Sequence, residues 1–393
     1  MKLAIVTTHP IQYNAPWFKL LAEQPGIDIK VFYTWEQANT NTKFDPGFGK
    51  MVSWDIPLLD GYEYTFVKNT SDSPGSHHYK GIINPTLNEE IKTWGAEAVL
   101  VFGWPFKSHL ACMRHFKGRI PVLFRGDSTL LNEQPGVKRI LRRLFLRYVY
   151  SFVDYALYVG SNNKNYFLAH GLKEKQLVFV PHAIDNDRFW SESGRLEREA
   201  LDWRARLGIT NDMFVVLYTG KFDTVKNPAY ILDIAKKLPG DNFRFILVGN
   251  GPLENELKTG LNDDRIIFID FQNQQLMPVV YRLGNVIVMS SKSETWGLAV
   301  NEAMACNRPV ITNNKVGCAV DLIQPSLNGI ITSFGEVDGA IDFIRYLDNN
   351  DSTATISSVN KKLLGIYSFR NIVSSITGLL HNIYNRRNFG DSK

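Results

Sequence analysis

Ser291–Ala305 reads SKSETWGLAVNEAMA and sets two glutamates, Glu294 and Glu302, around Trp296-Gly297-Leu298. The short apolar run before it, Val286–Ser290, predicts a buried strand. Ala299–Cys306 after it has helix-forming composition, with small and apolar residues at helical spacing. The pattern is strand, loop, helix. Glu294 falls in the loop, and the N–H groups near Gly297 and Leu298 fall at a helix N-terminus, where unpaired donors and the helix dipole favour anions. Glu302, one to two turns further on, is an acceptor-only carboxylate suited to both hydroxyls of a ribose. An anion cradle beside a diol clamp points to a nucleotide-sugar site. The competing reading is a capping glutamate followed by a surface glutamate, so the rest of the chain has to decide.

With 393 residues the chain exceeds a single typical core, which predicts two domains. Apolar residues at 44% and charged residues at 21% are ordinary for a soluble globular protein. Cys112, Cys306 and Cys318 have neither metal-ligand spacing nor a paired framework, which predicts a reducing cytosol. The opening MKLAIVTTHPIQY has too short an apolar run for a signal peptide and reads as a first strand. No window is expected to be apolar enough to span a membrane. A net charge of +5 suits an anionic donor or an anionic membrane surface and gives no argument for nucleic acid.

Glu-x7-Glu with an aromatic–Gly pair inside and Glu-Ala-Met-Ala following resembles the donor signature of retaining glycosyltransferases of family 4, the glycosyl transferases group 1. The resemblance implies an α/β GT-B fold, two Rossmann-like domains with parallel sheets facing each other across a cleft. Residues 1–185 would form the acceptor domain, with a C-terminal helix at about 369–387 packing back on it, and 186–368 the donor domain. The resemblance is nearly continuous from Gly220 to Gly329 and extends to the first half only in layout.

In the first half, Lys2–Thr7 is a strand that opens through His9-Pro10-Ile11-Gln12-Tyr13-Asn14 into a helix from about Ala15 to Glu23, the start of a βαβ unit. The loop lacks GxGxxG, and a polar, aromatic sequence stands where many family members have glycines. His9, Gln12 and Asn14 are candidate acceptor contacts, the alternative being plain loop structure. Ile29–Tyr33 and Tyr64–Val67 read as strands joined by a long irregular segment, Trp35–Asp60, that includes Asn39–Asn41 and Pro46–Gly49. His77 and His78 are adjacent, poor geometry for joint metal ligation, and read as exposed loop. Ala98–Phe102 and Pro121–Phe124 are strands, the second ending in Arg125-Gly126-Asp127-Ser128. In parallel α/β sheets ligands bind at the carboxyl ends of strands. Family members place a histidine after this strand; here Arg125 or Asp127 occupies that place, and the sequence does not choose between them.

Lys138–Val149 is a basic amphipathic helix, with Lys138, Arg139, Arg142, Arg143 and Arg147 on one half. Ile140, Leu141, Leu144, Phe145 and Tyr148 fall on the other, and Leu146 strays to the basic side. The expectation is that the apolar half packs on the sheet; the alternative is peripheral docking on anionic lipid. Pro181–Phe189 resembles the family's interdomain segment, with His182-Ala183 in place of Asn-Gly. Asp185-x-Asp187 imitates a metal motif of another glycosyltransferase fold, but its position at the linker speaks against that role.

In the second half, Phe214–Tyr218 is a strand ending in Gly220, with Lys221 and Lys226 flanking the following turn. A diphosphate leaving group gathers negative charge as its glycosidic bond breaks, and cations fixed at a strand tip stabilise that transition state. Lys221 stands where the family has arginine, keeping the charge and losing the bidentate fork. Phe243–Val248 ends in Gly249-Asn250-Gly251-Pro252, a turn the family places near the donor. Phe271-Gln272 falls where family members hold the base through backbone groups and stacking. Asn307 replaces a family glycine, and asparagine also suits a left-handed helix cap.

Together these readings predict a retaining glycosyltransferase that moves a sugar from a nucleoside diphosphate sugar, UDP- or GDP-linked, to an unidentified acceptor, with neither cofactor nor metal. Lys221, Lys226 and Glu294 carry the catalytic roles, assisted by donor contacts at Gly220, Gly249, Phe271, Gln272, Trp296, Gly297, Leu298 and Glu302. A front-face route needs no enzyme base and no covalent intermediate. The alternatives are a nucleotide-sugar epimerase of the same fold and a donor-binding protein without turnover.

Overall fold

Short apolar runs alternating with amphipathic segments fold as successive strand–helix units in a computed structural model that describes residues 1–36, 43–45, 50–52 and 55–389. The chain divides into two units. Unit 1 comprises Met1–Asn41, Pro57–His182 and Phe369–Lys393, and unit 2 comprises Thr42–Ile56 and Ala183–Ser368.

The strands of unit 1 are β1 (Lys2–Thr7) and β2 (Asp28–Tyr33), then, after the hairpin β3 (Lys43–Asp45) and β4 (Lys50–Val52), β5 (Glu63–Phe66), β6 (Ala98–Phe102), β7 (Val122–Arg125), β8 (Tyr155–Tyr158) and β9 (Leu177–Phe179). Its sheet runs β5-β2-β1-β6-β7-β8-β9, parallel throughout. The β3–β4 hairpin is antiparallel, belongs to unit 2 and lies inside the segment expected to be irregular; Asn39–Asn41 and Pro46–Gly49 lie outside the described residues. Connecting helices α1 (Ala15–Ala22), α2 (Leu87–Trp94), α3 (Lys107–Phe116), α4 (Val137–Tyr150) and α5 (Ser161–Ala169) cover the sheet. Because helices lie on both faces, the central strands carry near-continuous apolar runs, such as Ala98-Val99-Leu100-Val101, all fully buried.

Unit 2 contains β10 (Phe214–Thr219), β11 (Phe243–Val248), β12 (Ile266–Ile269), β13 (Val286–Met289), β14 (Val310–Asn313) and β15 (Gly329–Thr332). They form a parallel sheet in the order β12-β11-β10-β13-β14-β15. Its helices are α6 (Asn186–Trp190), α7 (Ser193–Arg206), α8 (Ala229–Lys237), α9 (Glu254–Lys258), α10 (Met277–Arg282), α11 (Leu298–Ala305), α12 (Ala319–Leu322), α13 (Asp338–Asn349) and α14 (Thr353–Ile366). Phe245, Ile231 and Ile344 are fully buried in its core, each burial worth about 1.5–3 kcal/mol before the entropic cost of ordering. The last helix, α15 (Phe369–Phe389), belongs to unit 1 and packs on α1.

Two expectations change. The segment Thr353–Phe389 is, by length and composition, long and apolar enough to cross a membrane, although no such window was expected. Half of its most apolar window is buried in the protein, and α14 ends at Ile366 before α15 begins. Helix α4 turns the opposite way from the expected packing. Leu146, Val149 and Tyr150 are buried, whereas Ile140, Leu141, Leu144, Phe145 and Tyr148 are exposed. The straying leucine marks the core side, because Tyr150 stacks edge-on against Phe124 and Phe167 and fixes the rotation of the helix.

Candidate donor site and the strand tips of unit 1

In unit 2 the strand order reverses between β10 and β13, the position at which open α/β sheets form a ligand crevice at their carboxyl ends. The loops leaving these two strands carry Lys221, Lys226 and Glu294. They are stitched together. Lys292 N donates to Val225 O at 2.8 Å, and Ser290 Oγ donates to Asn227 O at 2.8 Å. Lys226 N donates to Asp223 Oδ1 at 2.7 Å, and Asn227 adopts φ +54° to turn the chain. The result is a direct ion pair between Lys226 Nζ and Glu294 Oε2, bridging the two loops.

The glycines explain how closely these tips pack. A Cβ on Gly249, at φ +150°, would lie 1.9 Å from Gly220 O, so the β10 and β11 tips meet backbone to backbone. Asn250 ties them further: Phe222 N donates to its carbonyl at 2.9 Å, and Phe271 N donates to its Oδ1 at 2.9 Å. The Phe271 N–H is thereby engaged within the protein and is not available for the expected backbone contact to a base. Gln272 Nε2 donates to Asp270 O at 2.9 Å.

Helix α11 starts at Leu298, with Gly297 at φ +102° as its N-cap. No side chain caps it, which leaves the first amides to point out of the helix. The Trp296 indole does not line this end. It is buried, with Nε1 donating to Asn301 Oδ1 at 2.9 Å and the ring against Tyr367. The Trp296 side chain is therefore engaged inside the protein. Glu302 is 4% exposed, and Tyr281 Oη donates to its Oε2 at 2.6 Å while Thr219 Oγ1 donates to Tyr281 Oη at 3.2 Å. This Thr219–Tyr281–Glu302 chain ties the β10 tip to α11, and nothing in the sequence pattern announced Tyr281.

In unit 1 the strand order reverses between β1 and β6. His9, Gln12 and Asn14 lie in the loop after β1. His9 Nδ1 lies 2.9 Å from Thr8 Oγ1, and its ring meets Trp35 edge-on. Arg125 is not a turn residue: it ends β7, is 3% exposed, and donates to Val180 O at 2.7 Å and Pro181 O at 2.9 Å. Its guanidinium also lies over Trp17, and burial lowers its pKa to about 10. Both ends of its fork hold the β9 exit, so the residue works as a brace. Asp127 is half exposed and faces His182, with Nε2 and Oδ2 3.8 Å apart. Burial lowers the His182 pKa; Asp127 opposes that shift and Arg125 adds to it. The sequence offers His182 only as a substitution in the interdomain segment. The sheet order held the missing signal, since β7 and β9 flank β8 and their exits converge.

Asp185 caps α6 by accepting from Arg188 N at 3.2 Å. Among the described residues no group of three or more His, Cys, Asp or Glu side chains is placed to hold a metal ion. Asn307 takes the left-handed conformation at φ +55° at the end of α11.

Residues 200–362 match the family model described as Glycosyl transferases group 1, a span that takes in every donor-side residue above. D-inositol 3-phosphate glycosyltransferases of Mycobacterium bovis and Mycobacterium tuberculosis are 29% identical over 188 residues, 45% of this chain and 37% of theirs. The match thus spans little more than a third of those relatives. Among solved structures, Anabaena Alr3699/HepE in complex with UDP and glucose superposes with a TM-score of 0.69 at 16% identity, covering 97% of this chain and 100% of that one. A glycosyltransferase from Rickettsia africae gives 0.72 at 13%, covering 98% of each. Sucrose-phosphate synthase from Thermosynechococcus elongatus gives 0.70 at 17%, covering 98% and 99%. Such identities speak to fold: two Rossmann-like, parallel-sheet domains of the GT-B kind.

Proposed function

We propose that the protein is a retaining glycosyltransferase, moving a hexosyl unit from a nucleoside diphosphate sugar to an acceptor held by unit 1. The observation that carries this reading is the Lys226–Glu294 ion pair beside the α11 N-terminus at the switch point of unit 2, on loops of which the first also carries Lys221. The match of residues 200–362 to group 1 glycosyl transferases supports it. A UDP-linked donor is favoured over a GDP-linked one because the similar Anabaena protein was solved with UDP and with UDP-glucose.

Lys221 and Lys226 take the charge of the diphosphate, helped by the amides of Gly297 and Leu298. Glu302 binds the ribose hydroxyls, and Phe271-Gln272 border the base. Glu294 contacts the donor sugar and orients Lys226, whose three N–H donors suffice for a carboxylate and a phosphate together. Gly220 and Gly249 let the backbone approach. The bond from the anomeric carbon to the β-phosphate oxygen breaks, the acceptor oxygen bonds to the same face, and its proton passes to the departing phosphate. No cofactor enters this scheme, and a cytosolic setting with donor supplied from the soluble pool suits it. On the acceptor side, His9, Gln12, Asn14 and the Asp127–His182 pair line the strand tips, with Arg125 as their brace.

The test is an incubation with candidate donors and acceptors, following the anomeric proton by NMR. Retained configuration supports the scheme and an inverted product rejects it. Donor conversion to an epimer without acceptor would instead indicate an epimerase.

A further inference from the structure

We infer that α4 is a membrane-docking surface which seats unit 1 on an anionic lipid bilayer. Val137, Ile140, Leu141, Leu144, Phe145 and Tyr148 recur at i, i+3, i+4, i+7, i+8 and i+11, a single helical stripe. All six are exposed, from 46% for Phe145 to 71% for Val137. The same helix is anchored on its other side by Leu146, Val149 and Tyr150, so the stripe is held outward by the core. A soluble surface rarely gathers this much contiguous apolar area without a partner.

Charge selects the partner. At 100° per residue Lys138 and Arg147 border the stripe on opposite sides, and Arg142 follows on the Lys138 side; all three are exposed. Residues 137–150 contain no Asp or Glu. An apolar stripe with basic margins is the pattern of a helix lying in a lipid interface, its apolar face in the acyl boundary and its cations among anionic headgroups. A second copy of this chain would set these same basic margins against one another. Phe145 meets Trp104 edge-on, with ring centroids 5.4 Å apart, and Trp104 follows β6. The lipid-facing stripe is thus continuous with the strand-tip edge of unit 1, where a lipid-borne acceptor would arrive. The docking inference stands on α4 alone and does not depend on the reading of the donor site.

The experiment is sedimentation of the full chain with sucrose-loaded vesicles, one set pure phosphatidylcholine and the other containing 30% phosphatidylglycerol, an anionic lipid fraction of about a third. The expected result is at least tenfold stronger partitioning onto the anionic vesicles. That partitioning should weaken in 0.5 M salt, a concentration at which charge screening acts within roughly 4–5 Å. It should also fall at least tenfold in the double variant Leu141→Glu, Leu144→Glu. Both positions are exposed, so the variant should keep its melting temperature and its thermal shift with UDP, which separates loss of docking from loss of fold or donor site. Anionic binding that survives the double variant overturns the inference. So does an absence of vesicle binding, including the case in which the native chain is a dimer that the double variant converts to a monomer.

Discussion

The Lys226 ammonium is paired directly with the Glu294 carboxylate, across loops that leave neighbouring strands of one sheet. Glu294 thus fixes where the positive charge stands. Lys226→Met should lower kcat by roughly 10²–10³, the usual effect of removing one preorganised electrostatic group. Glu294→Gln should keep most of the affinity for nucleoside diphosphate while kcat falls, because the charge remains but its aim is lost. Steady-state kinetics with calorimetric titration of UDP separates the two; equal loss of UDP affinity in both variants would contradict a positioning role.

Tyr281 supports Glu302 from behind. Tyr281→Phe removes a hydrogen bond to a charged group, worth about 1.5–3 kcal/mol. The dissociation constant for UDP should therefore rise by roughly tenfold or more. The same change should have little effect on binding of inorganic diphosphate, which has no ribose. Competition binding with the two ligands checks the difference.

Glycine substitutions should split by surroundings. Gly249→Ala drives a Cβ to 1.9 Å from Gly220 O at a positive φ. A cost of about 2 kcal/mol or more is expected, lowering the melting temperature by roughly 4–8 °C. Gly378→Ala, within α15 and with nothing within 4 Å, should stabilise by about 0.5–1 kcal/mol. Differential scanning calorimetry reads both signs.

His109 should make unit 1 acid-sensitive. It is fully buried, with Nδ1 2.9 Å from Phe102 O and Nε2 2.8 Å from Thr34 Oγ1. A carbonyl only accepts, so Nδ1 carries the proton, and the neutral ring accepts from Thr34. Burial lowers its pKa from 6.5 to about 4. Above pH 6.5 the ring is neutral in both folded and unfolded chains. Between pH 6.5 and 4 the unfolded chain binds a proton that the folded chain refuses, so stability falls with pH, by on the order of 3 kcal/mol at full effect. Urea unfolding at pH 7.5 and pH 4.5 should show a smaller drop in His109→Gln than in the native chain.

The elements that carry the candidate donor residues were legible because they rest on short-range sequence. Lys221, Lys226 and Glu294 sit in the loops just after strand ends that apolar runs announce, and Glu302 sits on the helix that follows. Tyr281 and Asn250 escaped because they act through partners distant along the chain, Glu302 in one case and Phe271 in the other. In unit 1 the sequence falls short where burial decides what a side chain touches. Arg125 looked like a turn cation and is a buried brace, while His182 gains its meaning only from the convergence of β7 and β9. Helix α4 shows the limit of amphipathic patterning, which sorts a helix into two faces without saying which one the core takes.

Because α15 packs on α1, unit 1 is closed by a segment that follows Ala183–Ser368 of unit 2 in the chain. A ribosome therefore completes the whole of unit 2 before α15 is made. Ile372, Ile376 and Leu380, all buried in the finished protein, reach their places only after residue 368 has been added. Unit 2 can close its sheet during synthesis, while the face that α15 covers stays open to water and chaperones. Shortening the chain by this one helix should leave unit 2 folded and make unit 1 the target of proteolysis.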